Sequence, residues 1–160
     1  MEPTFTSSPA LSKRERYEQF LTEFVPFIEG EDDRISAMAN TAAALHEAFG
    51  FFWVGFYLVH DEQWLHLGPF QGPVACSRIR HGRGVCGTAW AKAQTLIVPD
   101  VDAFPGHIAC SSLSRSEIVV PMINGGKVIG VLDIDSDCLD AFDEDDRRGL
   151  EAVVKHIISA

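Results

Sequence analysis

Glu117-Ile118-Val119-Val120-Pro121-Met122-Ile123 and Lys127-Val128-Ile129-Gly130-Val131-Leu132-Asp133-Ile134-Asp135, joined by Asn124-Gly125-Gly126, decide the fold. Both arms are rich in branched apolar residues, which suit the pleated, half-buried surface of a sheet. The two glycines tolerate the positive φ that tight turns demand, so the stretch reads as an antiparallel hairpin. Alternation puts Asp133 and Asp135 on one face, at the end of an otherwise apolar strand. If Asn124-Gly125-Gly126 is a three-residue loop, Glu117 lies directly across from Asp133; a two-residue loop sends it to the other face.

Working outward, Phe51 to Val59 is almost wholly apolar and reads as a central strand covered on both faces, with Phe51, Trp53 and Tyr57 sharing one of them. Trp64 to Leu67 returns as its neighbour, Val74 to Ile79 is a weaker strand, Thr88 to Lys92 a short helix, and Thr95 to Val98 a strand. Pro99 to Ser116 is a long irregular segment, the length at which a loop is more often functional than a connector.

Upstream, Ser12 and Glu15 form a capping box that starts a helix, with Pro26 expected to bend or end its last turn. Asp32 or Asp33 caps a second helix that Gly50 stops, and Asp143 caps a final one. Residues 1–10 read as a flexible N-terminal tail and 11–160 as one domain. The order helix, helix, several strands, helix predicts an α+β fold with a mainly antiparallel central sheet flanked by helices.

Composition narrows the function. With 13 Lys and Arg against 23 Asp and Glu, the net charge of -10 argues against nucleic acid as a partner. No apolar run near the N-terminus has the length of a signal peptide or membrane span, so the expected location is cytoplasmic, with no membrane partner. Cys76, Cys86, Cys110 and Cys138 contain no C-x-x-C pair and are expected as thiols in a reducing compartment.

Gly82-Arg83-Gly84-Val85-Cys86-Gly87 fits G-x-G-x-x-G, but the polar, basic run before it is no buried parallel strand, which argues against a dinucleotide site. The glycines instead let the chain turn tightly beside Cys86 and expose backbone N–H groups toward an anion. The six histidines show no zinc pattern, and neither a metal nor another bound cofactor is expected. Three convergent carboxylates repel one another and are tolerable only if solvated, partly protonated, or neutralised by a cationic ligand. Solvated acids that protect a sheet edge would be the plain explanation. Against it stands Gly106-His107-Ile108-Ala109-Cys110, which leads almost directly into Glu117 and can bring a thiol and an imidazole to the same wall.

From about Tyr17 onward the chain resembles the free methionine-(R)-sulfoxide reductases, single GAF domains that act as enzymes. The resemblance is carried by Cys76-Ser77-Arg78-Ile79 leading to Gly82 through Ala89, by Asp100 through Cys110, and by Ser114 through Pro121 with Val128 to Ser136. It implies Cys110 as nucleophile, Cys76 as resolving thiol and Cys86 as a second candidate for that part. It also implies Glu117, Asp133 and Asp135 as holders of the substrate ammonium, and Trp53 and Tyr57 as the aromatic wall around its S-methyl group. Ser111 departs from the acidic residue expected there in many relatives, and Cys138 matches nothing in the pattern.

The implied chemistry is attack of Cys110 on free methionine sulfoxide, giving a sulfenic acid that Cys76 condenses to a disulfide, with thioredoxin as reductant and a homodimer as the expected assembly. One of the three acids, left open among them, would donate a proton to the sulfoxide oxygen, and His107 would orient the pocket. The alternative is a non-catalytic GAF module that senses a small ligand or redox state.

Overall fold

The computed structural model describes residues 1–108 and 110–159; Ala109, inside the expected thiol loop, lies outside the described residues. Helices α1 (Lys13–Ile28) and α2 (Arg34–Phe49) precede strands β1 (Trp53–Val59), β2 (Trp64–Gln71) and β3 (Arg78–Arg80). Helix α3 (Gly84–Lys92), strand β4 (Leu96–Val98), a 3-10 turn at Val101–Ala103, strands β5 (Ser116–Asn124) and β6 (Lys127–Ser136), and helix α4 (Glu144–Ser159) complete the chain. The strands form one sheet in the order β3-β2-β1-β6-β5-β4 with every neighbour antiparallel. This is the expected α+β architecture.

Period-two alternation divides the sheet into two faces. Val54 and Phe56 of β1, Ile118, Val120 and Met122 of β5, and Leu132 and Ile134 of β6 pack with α1, α2 and α4. Their odd-numbered neighbours Trp53, Tyr57, Val119 and Val131 face the other way, onto α3 and the loops around it. The helices are closed as their sequences demand: Ser12 and Glu15 form the capping box, Asp33 caps α2, and Gly50 ends it at φ 67°. The Asp143 carboxylate accepts from Asp145 N–H at 2.9 Å at the start of α4. No helix among the described residues is long and apolar enough to cross a membrane.

Two expectations are corrected. Residues 1–10 are not a loose tail, because Phe5 is buried against the rings of Phe20, Phe24 and Phe27 and the Ser7 hydroxyl donates to Ala48 O at 2.9 Å. Helix α1 ends at Ile28 with Pro26 in its last turn, where Phe24 and Ile28 are both fully buried. The helix after the glycine cluster starts at Gly84, four residues earlier than expected. The short helix and the glycine turn are therefore one continuous device.

Candidate active site

The hairpin brings its three acids together by a route other than either expected loop. Asn124 pairs with Lys127, so the turn is two residues, Gly125 at φ 61° and Gly126 at φ 77°. Alone, that turn would point Glu117 away from the aspartates. A bulge at Ile129, between the pairs Ile123 with Val128 and Met122 with Gly130, shifts the register by one. Glu117 consequently sits across from Asp135, not Asp133, and all three acids share the face of Trp53 and Tyr57. On the other side of β6, Asp133 pairs with Gly55 and Asp135 with Trp53.

Glu117 and Asp133 are each only 5% exposed, and Asp135 is half-buried beside them. Solvated edge acids are thus excluded. None of the ion pairs among the described residues reaches the cluster. Burial, followed by the charges of Asp133 and Asp135, pushes the Glu117 carboxyl well above the usual carboxylate range. Asp135 is pushed well up by burial and then by Asp133. Asp133 is also raised by burial, but hydrogen bonds from Glu117, Cys86 and Asp135 pull it back down. Burial thus opposes ionisation of all three acids, and Asp133 Oδ1 is buried with no hydrogen-bond partner.

Cys110 and Cys76 are joined by a disulfide, with their Cα atoms 5.3 Å apart. Cys110 lines the same cavity as Trp53, Tyr57, Cys86, His107, Glu117, Asp133 and Asp135. The aromatic wall also holds the opposite loop: Tyr57 OH donates to Cys76 O at 2.9 Å and Trp53 Nε1 donates to Pro73 O at 3.0 Å. Trp53 is clamped between Tyr57 and Phe70, with centroids at 6.0 and 5.2 Å. Cys86 is different in character. Its thiol lies at the buried base of the pocket, 3.9 Å from Glu117 Oε2, and is pushed well above the usual thiol range by burial and then by the acids. Cys138 is a free, exposed thiol.

Gly82 and Gly84 adopt φ 78° and 64° at the turn into α3, and a Cβ on Gly87 would meet the carbonyl oxygen of Arg80. Arg83 supplies no side-chain cap, and Gly84, Val85 and Cys86, whose N–H groups open the helix, all line the cavity. This positive end of α3 lines the same cavity as the acid cluster.

Several contributors were missed in the sequence. Ile108 lines the cavity and packs over Gly84, where an added Cβ would lie 3.3 Å from it. Phe70 lies past the strand expected over Trp64 to Leu67; β2 runs on to Gln71, beyond its pairing with β3, where a proline without an N–H is tolerated. The structure also places Cys86 Sγ and carboxylate oxygens of Glu117 and Asp133 all within 4.8 Å of one another, a grouping hidden by their wide sequence spacing.

A GAF domain family model matches residues 33–160. The chain is 60% identical over 144 residues to the GAF domain-containing protein A of Dictyostelium discoideum, covering 90% of this chain and 91% of that protein. It is 45% identical over 148 residues to the free methionine-R-sulfoxide reductase of Escherichia coli, with 92% and 89% coverage. Among solved structures, that of the free methionine-R-sulfoxide reductase from Neisseria meningitidis in complex with its substrate superposes with a TM-score of 0.94 at 52% identity, covering 99% of this chain and 95% of that one.

Proposed function

The chain belongs to the GAF domain family and, within it, to the free methionine-R-sulfoxide reductases, and on that premise we propose that it reduces free L-methionine-(R)-sulfoxide to methionine. The observation that carries the reading is the unpartnered, buried Oδ1 of Asp133 in a cavity that also holds Cys110. A buried acceptor with no donor calls for one from outside the chain, and a primary ammonium supplies both the donor and the compensating charge.

A free amino acid sulfoxide matches the rest of the cavity by polarity. Its α-ammonium goes to Asp133 with Glu117 and Asp135, its carboxylate to the first N–H groups of α3, and its S-methyl group to the faces of Trp53 and Tyr57. Methionine sulfoxide inside a peptide has an uncharged amide in place of the ammonium and would leave the acids uncompensated.

Cys110 sulfur then attacks the sulfoxide sulfur, and the oxygen passes to Cys110 as a sulfenic acid while the substrate sulfur leaves as the thioether. Acids beside a thiol disfavour its thiolate, so the step needs concerted proton movement. A retained proton on Glu117 or Asp135 goes to the sulfoxide oxygen as the thiol gives up its own. Cys76 attacks the sulfenic acid, releasing water and closing the disulfide, which an external dithiol such as thioredoxin reopens. Cys86, held protonated at the pocket base, takes no part in resolution, and His107 orients the pocket.

The proposed resting assembly is a homodimer in the cytoplasm, with residues 11–160 as the catalytic domain onto which the N-terminal segment packs through Phe5. The test is NADPH loss in a thioredoxin-coupled assay with the free R epimer. Wild type should turn over and Cys110→Ser should not; an inert wild type would favour a non-catalytic sensor.

A further inference from the structure

Cys86 is a buried thiol that the reduction scheme does not use, yet it is held against two buried carboxylates. Its Sγ and one oxygen each from Glu117 and Asp133 lie mutually within 4.8 Å. Sγ and Glu117 Oε2 are 3.9 Å apart, close to the ~3.6 Å between a sulfur and an oxygen that share a tetrahedral zinc ion. An acid cluster alone would carry little weight. Beside the cluster's geometry stands an acceptor that calls for a cationic ligand: Asp133 Oδ1, on a side chain more than nine-tenths buried and assigned above to the substrate ammonium, has no hydrogen-bond partner in the protein. Asp135, paired across the strands with Glu117 and lining the same cavity, brings a further carboxylate to the group.

We propose that Cys86, Glu117 and Asp133 form a binding site for one thiophilic divalent cation of the zinc type at the base of the cavity. One sulfur with carboxylate oxygens suits zinc or cobalt, whereas magnesium and calcium prefer all-oxygen shells. Ion binding replaces protons on the thiol and the acids with a single central charge, removing the mutual repulsion that the ligand-free pocket has to carry. The site goes beyond the reductase reading and does not depend on it. In combination with that reading, an ion here would occupy the place assigned to the substrate ammonium and act as an inhibitor that leaves Cys110 and Cys76 untouched.

The experiment uses the tag-free, full-length protein with the Cys76–Cys110 disulfide intact, so that Cys86 and Cys138 are the remaining thiols. Titration with Co²⁺ should give one thiolate-to-cobalt charge-transfer band in the near ultraviolet at one ion per chain, and Zn²⁺ should displace it. Cys138→Ser should keep the band and Cys86→Ser should lose it. Glu117→Gln and Asp133→Asn, checked for folding by circular dichroism, should each weaken Zn²⁺ binding at least about tenfold. Absence of the band in wild type, its loss in Cys138→Ser with retention in Cys86→Ser, or unchanged affinity in both carboxylate variants would overturn the assignment.

Discussion

Glu117→Gln should make the protein more stable and less active, and the gain should depend on pH. Glu117 is buried, and burial with the neighbouring carboxylates holds its proton well above the usual range. Between the ordinary glutamate value and the raised one, the folded chain binds more protons than the unfolded chain, so stability falls as pH rises through that window. The loss approaches about 1.4 kcal/mol per pH unit for one fully retained proton, which sets a ceiling of about 3.5 kcal/mol at pH 7. Glutamine copies the neutral form without titrating. The variant should therefore gain about 1 to 3 kcal/mol near pH 7, or roughly 2–4 °C of melting temperature per kcal/mol, and almost nothing near pH 4. Urea unfolding of the disulfide form across this range measures the difference directly. A stability change in Glu117→Gln with no pH dependence, or a loss largest at neutral pH, would show that Glu117 is ionised when buried and refute the reasoning.

Cys76→Ser should let one equivalent of methionine form and then trap Cys110 as a sulfenic acid, detectable as a dimedone adduct by mass spectrometry. Cys86→Ser should still form the Cys76–Cys110 crosslink after one turnover; its disappearance would make Cys86 the resolving thiol. Phe5→Ala should cost about 3 kcal/mol in urea unfolding, as expected for emptying a buried aromatic site, whereas a change under ~0.5 kcal/mol would mean that the N-terminal segment does not dock.

The sheet was legible in the sequence because its signals are local. Asn124-Gly125-Gly126 announced the hairpin, and the apolar run through Phe51 to Val59 announced the central strand. Trp53 and Tyr57 could be placed on one face because period-two alternation survives small errors in strand ends. Convergence of Glu117 with Asp133 and Asp135 was left to the loop length: a three-residue loop gave it through Asp133, and the two-residue turn that forms would have denied it. The bulge at Ile129 leaves no clear mark in a string of Val, Ile and Gly, and it alone decides which aspartate Glu117 meets.

Other features depended on contacts that no local pattern encodes. Phe5 is one apolar residue among polar and small ones, and its burial follows from ring contacts with Phe20, Phe24 and Phe27 of α1 rather than from periodicity. The grouping of Cys86 with Glu117 and Asp133 joins residues from α3, β5 and β6, which only the packing of α3 over the sheet brings together. Burial of the acids was unreadable for the same reason. A strand ending in carboxylates looks solvated until α3 and the thiol loop cover it.

The most direct measurement compares kcat/KM for free L-methionine-(R)-sulfoxide with that for its N-acetyl derivative, which keeps the sulfoxide and the carboxylate but has no ammonium. Capture of the amino group by Asp133 and its neighbours predicts a loss of at least about a hundredfold on acetylation, in the range for stranding a buried charge-assisted hydrogen bond. Equal values for the two substrates would contradict the account.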